Sequence, residues 1–134
     1  MGEQRLVWTG EGVEFEGLAT WGAPVRTGEQ GGEGAKPSDL LPLSLSACTA
    51  YDVVVILRKQ RQDLRGLEVR TITEQEPEAP WSFKKIHMHF VFDGEIDDRK
   101  AARAIELAES KYCAVAATLR DVVELSHSHE IHAG

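Results

Sequence analysis

The chain has 134 residues, 42% hydrophobic and 28% charged, with a formal net charge of -7 and two cysteines. That length suits a single domain spanning 1–134, and that composition excludes wholesale disorder. The negative charge argues against a nucleic-acid partner, because a phosphate backbone demands a concentrated basic surface. No uninterrupted apolar run approaches the ~18–20 residues of a bilayer span, and Met1 to Arg5 carry no apolar signal core. A cytoplasmic location and no membrane partner are therefore expected.

Short alternating runs at Arg5–Thr9 and Gly12–Gly17, split by Gly10-Glu11, read as a β-hairpin, with a third strand within Trp21–Thr27. Residues 28–36, GEQGGEGAK, hold four glycines and no large apolar side chain, which predicts a mobile loop. Pro37-Ser38-Asp39 is a helix-start signal: Ser38 can cap, and the Asp39 charge meets the positive end of the dipole. Pro42 falls in the first turn, where its missing N–H costs nothing. From Leu40 to Leu57 the apolar residues lie on more than one face, in lines such as Leu41, Leu45, Cys48 and Val55, or Leu40, Ala47, Tyr51 and Val54. A helix apolar nearly all round belongs in a core or a subunit interface, which implies a homodimer. Arg58, Lys59, Arg61 and Arg65 gather where this helix ends, as cations that complement its dipole.

Two longer strands follow, Gly66–Glu74 and Phe83–Phe92, joined by an acidic, proline-containing link. Asp97-Asp98 starts a second helix through Ala101, Ala104, Ile105 and Ala108. Ser110–Leu119 reads as a short third helix with a break near Tyr112, and the last strand runs from Val122 to about His132. The order β-β-β-α-β-β-α-α-β defines the α+β class.

Cys48 lies inside the long helix, where a free cysteine packs as a small hydrophobe. Cys113 opens a short helix, where exposed backbone N–H groups can stabilise a thiolate. Neither cysteine has the paired spacing of a zinc site or belongs to a disulfide framework. His87 with His89, and His127 with His129, each share a strand face and could hold a metal if the strands were neighbours. No carboxylate or cysteine stands at a ligand spacing beside them, so solvated strand faces are the simpler account and no metal is expected. Phosphate-cradling and serine-hydrolase motifs are absent from the sequence.

The stretch Pro37-Ser38-Asp39-Leu40-Leu41, continuing through Leu45-Ser46-Ala47-Cys48-Thr49-Ala50, resembles the first cysteine motif of the OsmC/Ohr family. These are the osmotically inducible protein C and organic hydroperoxide resistance proteins. Ala108 to Val115, containing Tyr112-Cys113, resembles that family's second cysteine motif, and the order of elements is similar to its fold over nearly the whole chain. The resemblance implies an intertwined homodimer with central helices packed together and no cofactor. It implies a peroxidatic Cys48 that becomes a sulfenic acid, and a resolving Cys113 that condenses with it to a disulfide. The substrate would be a small organic hydroperoxide, and an external dithiol would reduce the disulfide.

The family's peroxidases draw an arginine from a glycine-rich N-terminal segment and hold it with a glutamate. Here the first turn, Thr9-Gly10-Glu11-Gly12, has no basic residue, and Ser38 stands where the glutamate would be. Arg26 is the substitute cation and Asp39 the substitute carboxylate. In these departures and in both cysteine blocks the chain is closest to the YhfA-like branch. The alternative function is a non-enzymatic dimer that binds an apolar ligand or senses oxidant through a Cys48–Cys113 disulfide.

Overall fold

The computed structural model describes residues 2–134 and divides into two compact units, 1–41 and 42–134. In the first unit, β1 (Arg5–Trp8), β2 (Phe15–Leu18) and β3 (Pro24–Thr27) form an antiparallel sheet in that order. Arg5 faces Leu18 across the first pairing, and Phe15 faces Thr27 across the second. The expected third strand is shorter at its start. Trp21 sits at φ 71° within a 3-10 turn, Thr20–Gly22, and that left-handed backbone ends strand pairing before Pro24.

The glycine-rich loop departs from the expectation of a mobile segment at its base. The Gly28 N–H donates to Ala35 O at 3.0 Å, and the Ala35 N–H donates to Arg26 O at 2.9 Å, which closes the loop onto the end of β3. Close approach also explains two of its glycines. The Glu14 carboxylate occupies the place of a Gly28 side chain, and a Cβ on Gly34 would come within 2.8 Å of the Thr27 carbonyl carbon.

A 3-10 turn, Pro37–Asp39, leads into α1 (Leu40–Lys59). Of α1, the residues from Pro42 onward belong to the second unit. Leu45, Thr49, Val53 and Leu57 are buried and recur every four residues, so they form one stripe. On the opposite side Leu43, Tyr51 and Val55 are 57%, 72% and 37% exposed, and Ala47 between them is exposed as well. The two apolar lines are thus shifted from those expected, because the strict four-residue step governs burial.

Within the helical stretch 37–59 an 18-residue window has a mean hydropathy of 1.9, enough by length and composition to cross a membrane, with a third of that window buried. As expected, it contains no uninterrupted apolar run of that length. Ser44, Ser46, Thr49 and Asp52 interrupt a run but barely lower a helix average. The same profile describes a core helix, and α1 carries the buried stripe of one.

The helix closes with the Gln62 N–H on Leu57 O at 3.0 Å and the Arg61 N–H on Arg58 O at 3.0 Å, with Arg61 at φ 57°. This is a Schellman closure with an arginine in the position that glycine usually takes. Strands β4 (Asp63–Gln75) and β5 (Phe83–Glu95) then form a long antiparallel hairpin, and β6 (Glu124–His132) pairs parallel to β5. Ile86, Met88, Phe90 and Phe92 alternate along β5 as fully buried residues, and the class is α+β as expected. Helix α2 (Asp98–Leu107) starts where expected: Asp97 Oδ2 accepts the Lys100 N–H at 3.0 Å. Capping of this kind contributes about 1 kcal/mol.

The third helix differs from its expected bounds. Residues Ala108–Tyr112 form a π-helical turn, Cys113 is extended at φ -82° and ψ 111°, and only Ala114–Leu119 form α3. The break falls one residue after Tyr112, on the cysteine itself.

Candidate functional site

Cys48 and Cys113 are both free and both lie in the second unit. Cys48 is half-buried on α1, whereas Cys113 is 1% exposed at the start of α3. The Cys113 N–H donates to Ala108 O at 2.8 Å, and its Sγ accepts the Ala116 N–H at 3.3 Å. The Cys113 side chain lies near enough to the Cys48 thiol to raise it, and the backbone N–H groups of Val115 and Ala114 lie near enough to act in the other direction.

The residue pattern points to α3 as the stabiliser of Cys113. In the fold, its first turn serves both sulfurs, because Cys48 approaches from α1. Sequence alone places Cys48 too deep in α1 to feel a helix N-terminus, and it carries no signal that a second helix delivers one. The balance at Cys48 is nevertheless upward. Burial raises its thiol pKa first and the Cys113 side chain second, against smaller lowering by the Val115 and Ala114 N–H groups. No cation among the described residues is a cause of this balance.

Arg26 and Asp39 lie in the first unit. Arg26 is exposed on β3 and pairs with Glu33 of the glycine-rich loop at 3.6 Å. Asp39 is exposed at the end of the 3-10 turn, where its N–H donates to Lys36 O at 2.9 Å. The ion pair of Arg26 among the described residues is with Glu33, and not with Asp39.

The two histidine pairs occupy opposite faces of the β4–β5–β6 sheet, since 87 and 89 pair with 126 and 128 while 127 and 129 pair with 88 and 90. His129 Nε2 meets Asp98 Oδ1 on α2 at 2.8 Å, and His127 Nε2 lies 3.9 Å from Glu109 Oε2. On the other face a polar ladder runs across β5 and β6. His87 contacts Ser126 at 2.7 Å and Ser128 at 2.8 Å; His89 contacts Ser128 at 2.6 Å and Glu130 at 2.8 Å. His132 reaches the second Glu130 oxygen at 2.8 Å.

An ionised Glu130 accepts from His89 Nε2–H; in the neutral ring Ser128 then donates to His89 Nδ1 and accepts from His87 Nε2–H. One carboxylate thereby anchors a network of five side chains: His89, Ser128, His87, Ser126 and His132. Among the described residues no group of three or more His, Cys, Asp or Glu is arranged to hold a metal ion. Two features were not legible beforehand: this ladder, which depends on the parallel register of β6, and the Thr49 hydroxyl, buried with no hydrogen-bond partner among the described residues.

The profile of the OsmC-like protein family matches residues 29–128, which include both cysteines. Protein YhfA of Escherichia coli (strain K12) is 36% identical over 131 residues, covering 96% of this chain and 97% of its own. The crystal structure of a hypothetical protein from Aquifex aeolicus VF5 is 25% identical and superposes with a TM-score of 0.90, covering 100% of this chain and 98% of that one. The organic hydroperoxide resistance protein OhrB of Bacillus subtilis shares the fold at 16% identity, with a TM-score of 0.64 over 97% of this chain and 98% of its own. Some members of this fold are thus named organic hydroperoxide resistance proteins. The chain belongs to the OsmC-like protein family, with YhfA among its relatives.

Proposed function

We propose that this chain is a cysteine-based peroxidase that reduces organic hydroperoxides. The observation that carries the reading is the meeting of the Cys48 and Cys113 side chains at the first turn of α3, one half-buried and one buried. A Cys48 thiolate attacks the outer peroxide oxygen; the O–O bond breaks, the alcohol leaves with a proton, and Cys48 becomes a sulfenic acid. The Cys113 sulfur then attacks the Cys48 sulfur, a disulfide forms and water leaves. This is the reversible part of the cysteine oxidation ladder. An external dithiol returns two electrons and restores both thiols. No cofactor enters the cycle.

The raised Cys48 thiol requires a cation. Arg26, with Asp39 as its carboxylate partner, is the proposed source, in exchange for the exposed pairing with Glu33. The exposed line Leu43, Ala47, Tyr51 and Val55 supports a homodimer packed through α1. A cytoplasmic location follows from thiols that must stay reducible.

The test is stopped-flow consumption of cumene hydroperoxide and hydrogen peroxide by the pre-reduced protein, with thiols counted before and after. Rapid loss of two thiols per chain with the organic peroxide, abolished in Cys48→Ser, is the expected result. Full consumption by Cys48→Ser refutes it.

One observation favours a second reading. With its thiol pKa raised and no cation contributing, Cys48 suits a dimer that binds an apolar ligand or senses oxidant slowly. Slow thiol loss with both peroxides selects that reading.

A further inference from the structure

We infer that Arg120 is the positioning residue of the second cysteine; this rests on the Cys48–Cys113 disulfide in the reading above. Cys113 sits at a joint between two unlike pieces of backbone, the π-turn at 108–112 and the short helix α3. A π-turn that ends on an extended residue leaves its carbonyls without the donors that a continuing helix would provide.

Arg120 supplies them. It is the C-cap of α3, and its side chain turns back along the helix. Nε reaches Ala116 O at 3.4 Å, Nη1 reaches Ser110 O at 3.3 Å, and Nη2 reaches Glu109 O at 3.2 Å. One planar guanidinium therefore bridges the backbone before Cys113 and the backbone after it.

The bridge shares a residue with the cysteine. Ala116 donates its N–H to Cys113 Sγ and gives its carbonyl to Arg120. A shift of the guanidinium thus moves the same peptide segment that holds the sulfur. Packing does not hold this turn by itself, because a cavity of about 150 Å³ lies beside it, lined by Glu106, Glu109, Ser110, Arg120 and His127. When Cys113 leaves the Ala116 N–H to attack the Cys48 sulfur, the Arg120 bridge confines the change to the cysteine side chain. Lysine keeps the charge but has no rigid fork to span three carbonyls.

The experiment reads disulfide closure without peroxide. Pre-reduced protein is mixed with a chromogenic aromatic disulfide: Cys48 forms a mixed disulfide and releases one chromophore, and attack by Cys113 releases the second. The expected result is that Arg120→Lys slows the second phase roughly tenfold or more, as for a displaced reacting group, while the first phase changes little. A folded Arg120→Lys with both phases at the wild-type rate overturns the inference, and so does a wild-type protein with no second phase. A protein that closes this disulfide but fails to consume cumene hydroperoxide refutes the peroxidase reading and leaves the role of Arg120 standing.

Should Arg120→Lys not fold, amide exchange in the wild-type protein serves instead. The Cys113 and Ala116 N–H groups should exchange as slowly as those inside α2, and exchange at open-loop rates overturns the inference.

Discussion

The Cys48 and Cys113 side chains approach each other at the first turn of α3, and burial first, with this neighbour second, holds the Cys48 thiol above its ordinary pKa. Two acidic thiols in contact oppose each other's ionisation, while the Ala114 and Val115 N–H groups act in the other direction. The single chain therefore holds the Cys48 thiol in its protonated form to a higher pH than a free cysteine.

Alkylation against pH measures this directly. In dilute protein the Cys48 rate should still be climbing above the ordinary thiol value of about 8.5. Cys113→Ala removes one source of the rise and should move the midpoint down. A midpoint that stays put would mean that burial alone sets the Cys48 pKa.

A second prediction concerns Thr49, which is fully buried with an unpartnered hydroxyl. Thr49→Val keeps the shape and removes the unpaired group, so it should stabilise the fold by about 1 kcal/mol in urea denaturation. A destabilised variant would reveal a partner for that hydroxyl.

Glu130 accepts from His89 and from His132, and these contacts, His89 first, hold its carboxyl below the usual range. Arg70, 3.7 Å away, faces the same oxygen as His89. A carboxylate with a depressed folded pKa stabilises fully above its unfolded pKa and loses that contribution as pH falls through the folded value. His89→Ala should raise the Glu130 midpoint toward about 4.3 in carbon NMR titration and flatten the acid limb of the stability profile. An unmoved midpoint would show that the ladder does not orient the carboxylate.

Tyr51 is 72% exposed at the middle of the outer line of α1. If two copies pack through this line, Tyr51→Glu buries a charge at the contact and should convert a dimer to monomer in sedimentation velocity. A dimer that survives the change would locate the contact elsewhere.

Element types were readable because each has a local cause. The alternation in 83–92, the Asp97 cap and the break beside Tyr112 arise from neighbours a few residues apart. The histidine pairs mark the limit of that reasoning. Strand alternation places His87 with His89, and His127 with His129, but only the parallel register of β5 and β6 puts the pairs on opposite faces. Likewise, glycine entropy explains a loop at 28–36 but not the closure of its base by Ala35.

By itself the sequence determined the α+β order, the two cysteines as the only thiols, and the family to which the chain belongs. Those follow from composition, periodicity and motif, all of which are local along the chain. Tertiary structure alone decided that α3 meets Cys48 as well as Cys113, that Arg120 bridges the backbone on both sides of Cys113, and that Arg26 pairs with Glu33. The physical reason is that hydrogen bonds and ion pairs act over a few ångströms in space, between groups whose separation along the chain carries no record of their meeting.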